Sequence, residues 1–276
     1  MRFGIPSFLT LAVVASAAAQ STERFPSINP PLSVVRNVDF ASLPAAPEPA
    51  TNAERFAQGL PPIRPRNLHL KQGTRAASAP RAETSPVPAV EQKCNVVART
   101  KDTTLGYLVP QLNAFGQYGR FQASQAGSLQ LSVLYVPGSD APVDLYPVNG
   151  PTKAYPYVGG AMGIASDSDD LSPGSSNYAY VVATRQTPPG SPAVAGDNSS
   201  AASTGIPADF ESAIWIYNPT TNQFRPQWVN ADGSTPTTYH QDGNDALILT
   251  GDPEAVNNAF GTSYPQITLT CVPVAA

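Results

Sequence analysis

Leu129-Gln130-Leu131-Ser132-Val133-Leu134-Tyr135-Val136 decides the fold class of this chain. Its first five residues alternate apolar with polar, the period of a strand that buries one face, and the remainder turns continuously apolar. The same grammar recurs on either side. Apolar and β-branched runs lie at Tyr178 to Thr184, Ala213 to Tyr217, Ala246 to Thr250 and Ile267 to Val272, with shorter ones at Asn95 to Arg99, Val143 to Tyr146 and Phe224 to Val229. Gly, Pro, Asn and Asp divide them. Helix is scarce: Asp252 is placed to cap one, Pro253 stands at its first position, Glu254 favours the helix dipole and Gly261 provides a stop. Many short strands without a βαβ rhythm predict an all-β domain: an antiparallel β-sandwich, jelly-roll-like, with one short helix, a barrel being the alternative.

The foldable region runs from residue 94 to 276 and holds all eleven Tyr and both Trp. A chain of this length buries roughly 70% of its unfolded surface, enough for one core. Cys94 and Cys271, the only cysteines, bracket it. In a secreted chain they are expected to form a disulfide between the first strand and the last. The chain-entropy model sets about 5 kcal/mol as the upper bound for a loop so long.

Upstream the composition changes. Arg2, the apolar stretch Phe8 to Ala15, and Ser16-Ala17-Ala18-Ala19 before Gln20 have the order of a secretory signal, with cleavage expected after Ala19. Gln20 to Lys93 contains twelve prolines and no Tyr, Trp or Cys. No apolar period persists there, so 20–93 is expected to be a disordered Pro/Ala-rich leader, with polyproline-like backbone at Leu60-Pro61-Pro62-Ile63-Arg64-Pro65 and a short helix around Asn52 to Gln58. No later stretch is long and apolar enough to span a bilayer, and the C-terminus carries no tail that would direct a lipid anchor. The expectation is a soluble extracellular protein.

Charge separates the two regions. The leader carries nine Lys/Arg against six Asp/Glu, whereas Cys94 onward carries six against fourteen. An acidic domain argues against a nucleic-acid partner, which requires a basic face.

Residues with chemical potential are few. Gly-x-Ser-x-Gly is absent, and His240 would stand alone as a base beside Asp242 and Asp245 in a Gly/Asn/Asp-rich stretch that reads more simply as a surface turn. Two carboxylates are the equipment of a glycosidase, and Asp209 and Glu211, two apart before a strand, would share a face. The Glu-x-Asp-x-x-Glu pattern of jelly-roll glucanases is missing, and a solvated strand entry is the plainer reading. Asp167, Ser168, Asp169 and Asp170 supply hard oxygen ligands of the kind calcium takes, but without the EF-hand pattern a polar loop is favoured. Trp215, Trp228 and Tyr239 offer flat faces for stacking sugar rings, against the simpler reading that a β core needs large residues. Asn198-Ser199-Ser200 is the usable glycosylation sequon, in a stretch from Thr187 to Ile206 expected to be exposed. No cofactor is implied.

One further pattern is specific. Arg55-Phe56-Ala57-Gln58-Gly59-Leu60-Pro61-Pro62 resembles a leader motif of secreted proteins of mushroom-forming fungi. The stretches Ser175-Ser176-Asn177-Tyr178, Thr187 to Pro192, Glu211 to Trp215 and Gln227 to Ser234 resemble the uncharacterised domain that follows it there. The resemblance implies a fungal secreted origin and carries over no activity and no catalytic residue.

These readings give an expected function of a noncatalytic extracellular or cell-wall-associated β-domain that binds glycans, with Trp228, Trp215 and Tyr239 as its sugar-stacking residues. The competing expectations are a wall-active glycoside hydrolase using Glu211 with an aspartate, and a structural or effector-like protein without a small ligand.

Overall fold

A computed structural model of the chain describes residues 27–47 and 87–274. The expected signal sequence, the Asn52 to Gln58 helix and the fungal leader motif lie outside these residues. The strands are β1 (Val90–Arg99), β2 (Thr104–Leu108), β3 (Phe121–Gln122), β4 (Gln130–Tyr135), β5 (Leu145–Pro147), β6 (Tyr157–Met162), β7 (Tyr178–Thr184), β8 (Phe210–Glu211), β9 (Trp215–Asn218), β10 (Gln223–Pro226), β11 (Tyr239–Asp242), β12 (Leu247–Thr250) and β13 (Gln266–Pro273). Two α-helices accompany them among the described residues, α1 (Ser199–Thr204) and α2 (Pro253–Phe260), with a 3-10 turn at Leu32–Val34.

The all-β expectation holds, but the architecture is a closed barrel rather than the expected jelly-roll-like sandwich. Eight antiparallel strands form a ring in the order β1-β4-β5-β6-β7-β12-β11-β13 and back to β1. Closure depends on β1, which takes β13 along one edge, from Cys94 opposite Pro273 to Arg99 opposite Thr268. Its other edge serves β4 and then β2. A sandwich would leave the first and last strands as edges; pairing them removes those edges. The hairpin of β9 and β10 continues along β13 beyond β11.

Strand alternation sorts the side chains into two buried clusters. Inward residues such as Val96, Val133, Val158, Val181, Leu249 and Leu269 fill the barrel together with Trp215 and Trp228. Their outward neighbours Ala161, Tyr178, Tyr180, Val182 and Ile248 form a second cluster with Val256 and Phe260 of α2. The expected disulfide is present: Cys94 and Cys271 are both buried, 5.3 Å apart at Cα, on the two strands that close the ring. It fastens the seam of the barrel.

The helix foreseen after Asp252 forms as its caps dictate. Asp252 Oδ1 accepts from the amides of Glu254 and Ala255, each at 3.0 Å, and Gly261 ends the helix in the left-handed region at φ 60°. β6 has no comparable signal, because it carries Gly159-Gly160 at its centre. There a side chain on Gly159 would run into Glu211 and Ser212, and one on Gly160 into the indole of Trp228. Close approach of β8 and of the core indole requires both glycines.

Residues 27–47, expected to belong to a disordered leader, instead form a strap on the barrel. Ile28 is buried in the outer cluster, and its carbonyl accepts hydrogen bonds from the hydroxyls of both Tyr178 (2.6 Å) and Tyr180. Gln117 Nε2 donates to Asn29 Oδ1 at 2.8 Å, Arg36 N to Ser203 O at 2.7 Å, and Ala46 N to Lys153 O at 2.9 Å. Phe40 and Leu43 pack against the barrel's main cluster. At the other boundary, β1 begins at Val90, ahead of the expected start at Cys94.

Candidate functional site

The residues singled out for chemistry are mostly wall and filling of the barrel. Trp215 and Trp228 are both buried, so neither presents a ring to a sugar. Each indole N–H is satisfied internally, Trp215 Nε1 by Val158 O at 2.6 Å and Trp228 Nε1 by Asp169 O at 2.7 Å. Tyr239 is half-buried on β11, and with both indoles inside the wall no shared platform exists. The assignment of Trp215 and Trp228 as stacking residues is therefore corrected: they are core.

His240 is not on a surface turn. It lies on β11 beside the core, stacked on Trp215 with ring centroids 5.6 Å apart. Burial pushes its pKa down to about 3, and its Nε2 is sealed without a partner among the described residues. A neutral imidazole so enclosed is packing, not a base. Tyr118 enters the same cluster from a segment wedged between β7 and β12, its amide donating to Val181 O at 2.8 Å and its carbonyl accepting from Leu247 N at 2.7 Å. The phenol pKa is driven upward by burial.

Glu211 occupies β8 and is only 2% exposed. Its two carboxylate oxygens accept from Val229 N, at 3.1 and 3.3 Å, and burial raises its pKa to about 8, with the Val229 hydrogen bond opposing. Burial favours its protonated form, and it is enclosed where a polysaccharide could not reach it. Asp209 and Asp169 face each other at the neighbouring rim, and the Asp169 carboxyl is raised first by desolvation and then by the charge of Asp209.

The loop Asp167 to Asp170 is a stapled turn. Asn177 Oδ1 accepts from Asp167 N at 3.0 Å, and Asp170 Oδ1 accepts from Ala231 N at 2.7 Å. Among the described residues no group of three His, Cys, Asp or Glu is placed to hold a metal ion.

Asn198 is fully buried and caps α1. Its Oδ1 accepts from Ala201 N at 3.0 Å while Nδ2 donates to Ala208 O at 2.9 Å. Ser199 Oγ donates to Gly116 O at 2.5 Å, so the whole sequon faces inward. A glycan on Nδ2 and this packing exclude one another, which corrects the expected glycosylation. The stretch from Thr187 to Ile206 is exposed over 188–190 and 194–197, as expected, but bridges at Val194 and Asn198 and the helix pin it, and its sequon end is buried.

A concavity lies elsewhere, between the strap and the barrel rim. A groove of about 710 Å³ is bounded by Leu32 and by residues 35–41 on one side, and by residues 111–114, Pro151 and Ser203 on the other. Asn37, Asp39 and Gln111 are exposed in it, and the amides of Asn37 and Gln111 form no hydrogen bond with other described residues. Leu32, Val35, Phe40 and Leu112 supply apolar surface between them. Ordinary small-ligand sites occupy about 300–1,000 Å³ and combine such surfaces with a few polar groups. Sequence reasoning missed this site because one wall comes from the proline-rich leader.

No family model, no curated protein and no solved structure matches this chain.

Proposed function

We propose that the protein is a secreted, noncatalytic β-barrel domain that binds an extracellular or cell-wall glycan in the groove beneath its N-terminal strap. The observation that carries this reading is the composition of the groove, where two side-chain amides that bond no other described residue and the Asp39 carboxylate alternate with apolar side chains along a groove of about 710 Å³. Sugars present hydroxyls that pair with amides and carboxylates, and C–H faces that cover apolar surface. The buried disulfide suits an oxidising compartment. The hydrolase alternative loses support, since Glu211 is inside the protein.

The test is binding of the full secreted chain to an array of fungal and plant cell-wall oligosaccharides, with Asn37→Ala and Gln111→Ala alongside. Each amide lost from the groove should weaken binding about tenfold, the cost of one hydrogen bond of roughly 1.4 kcal/mol. An array blank for the wild type, or variants that bind as well as it does, overturns the assignment.

A further inference from the structure

Six buried side-chain polar atoms have no hydrogen-bond partner among the described residues, and three of them fall in one place: Asp144 Oδ1, Gln186 Oε1 and Thr184 Oγ1. Leu145, Val158 and Ala183 face the barrel interior, so their chain neighbours Asp144, Tyr157, Gly159 and Thr184 face outward. The segment 187–212 leaves and returns at this point. Ser212 N donates to Thr187 Oγ1 and Thr187 N to Ser212 Oγ, each at 2.9 Å, which fastens its two ends together. Gln186 Nε2 donates to Asp144 Oδ2 at 2.6 Å, and the Ser212 hydroxyl bonds the same carboxyl. Gly159 makes room for the contact, because a Cβ on it would stand 2.7 Å from Thr184 Oγ1 and 2.9 Å from Ser212 Cα.

The chemistry of this cluster identifies its ligand. No ion pair among the described residues includes Asp144; neighbouring Arg185 reaches Asp197 and lies over the Tyr155 ring. The Tyr157 phenol feels that unbalanced charge, being raised first by burial and then by the Asp144 carboxylate. A carboxylate taken out of water is ordinarily paired or bound to a metal. The unpartnered atoms are a carboxylate, a carboxamide and a hydroxyl oxygen, the donor set of calcium, and none is the sulfur or imidazole that softer metals take. The amide orientation fits as well: with its nitrogen on Asp144 Oδ2, Gln186 leaves its oxygen to a cation. Asp144 and Gln186 are half-buried, so the cluster lies just beneath the surface, where water can complete a calcium shell of about 6–8 oxygens.

We propose that Asp144, Gln186 and Thr184, with the Ser212 hydroxyl beside them, form a calcium site that ties the segment 187–212 to the barrel wall. One carboxylate among neutral oxygens sets a weak affinity, a Kd of about 0.1–1 mM, the range of extracellular modules. Thermal melts of the full chain test it, in chelator and then in calcium chloride, with ionic strength held by choline chloride. About 10 mM calcium should raise the midpoint by roughly 3–10 °C, and magnesium, which needs a tighter octahedral shell, should not. Asp144→Asn should abolish the shift, whereas Asp167→Asn, in the exposed acidic loop, should leave it intact. Gln186→Glu adds a second carboxylate and should tighten the Kd about tenfold, which keeps the test decisive if Asp144→Asn fails to fold. The metal displaces a proton from Asp144, so the shift should shrink as pH falls below about 6. No shift in the wild type overturns the proposal, as do an equal shift with magnesium, a shift that survives Asp144→Asn, and Gln186→Glu without a gain.

Discussion

The hydroxyl of Tyr178 donates to the carbonyl of Ile28 at 2.6 Å, across 150 residues of sequence. Tyr180 donates to the same oxygen, so one backbone carbonyl of the strap accepts from two buried phenols. The strap is thus part of the barrel's outer wall. Ile28→Ala should lower the unfolding free energy by about 2–4 kcal/mol, the ordinary cost of truncating a buried aliphatic residue. Chemical denaturation of the full chain measures it, and a change below about 0.5 kcal/mol, the scale of a neutral surface substitution, would show that the strap adds nothing to the fold.

The disulfide closes the ring at its first and last strands, across a separation of 177 residues. Cys94→Ala with Cys271→Ala should cost up to about 5 kcal/mol by the chain-entropy model. The expected signature is a lower denaturation midpoint. An unchanged midpoint would mean that backbone pairing of β1 with β13 suffices alone.

Stability should be greatest in acid. The folded pKa of Glu211, about 8, exceeds its ordinary 4.5, and that of Asp144, about 6, exceeds 3.8, burial being the main cause in both. Folded protein therefore binds extra protons, and the stability these groups confer is lost as pH rises through those values. His240 acts in the opposite sense: its folded pKa of about 3 lies below 6.5, so stability falls as pH drops through that window. Asp252, whose carboxylate is lowered by accepting the Ala255 amide, adds to the loss at the acid end. The raised carboxyls outweigh the histidine on the way to neutrality, so stability should decline from weakly acidic to neutral pH and beyond, read by thermal melts from about pH 3 to 9. Glu211→Gln should flatten the decline as pH rises toward about 8. A maximum above neutrality contradicts these assignments.

Asn198 should carry no glycan in the folded protein expressed through a secretory pathway, which intact mass will show. Asn198→Ala should lower stability by about 1–3 kcal/mol, through loss of a helix cap and an unpaired Ala208 carbonyl. A glycosylated, cooperatively folding species would contradict the buried cap.

Local patterns were legible and long-range closure was not. Tyr178 to Thr184 forms β7 as the apolar run predicts, Leu129 to Val136 contains β4, and Asp252 to Gly261 caps α2. Alternation shows that a strand has a buried face but not which strand it meets, so pairing of β1 with β13 could not separate barrel from sandwich. Asn198-Ser199-Ser200 spells both a sequon and an N-cap, and only burial distinguishes them. Glu211 looks identical in sequence whether solvated or enclosed. The strap was hidden because proline-rich composition signals disorder, whereas scattered apolar residues, Ile28, Phe40 and Leu43, and a few hydrogen bonds anchor it.

The central claim is that ligand is held between strap and rim, not by the buried aromatics. Titrating an isotopically labelled full chain with cell-wall oligosaccharides, and following the side-chain amide resonances of Asn37 and Gln111, tests it most directly. The account predicts saturable shifts at these two amides and at neighbouring residues 35–41 and 111–114, with the indole resonances of Trp215 and Trp228 unmoved. Shifts centred on Tyr239 and the indoles, with the groove silent, would contradict it.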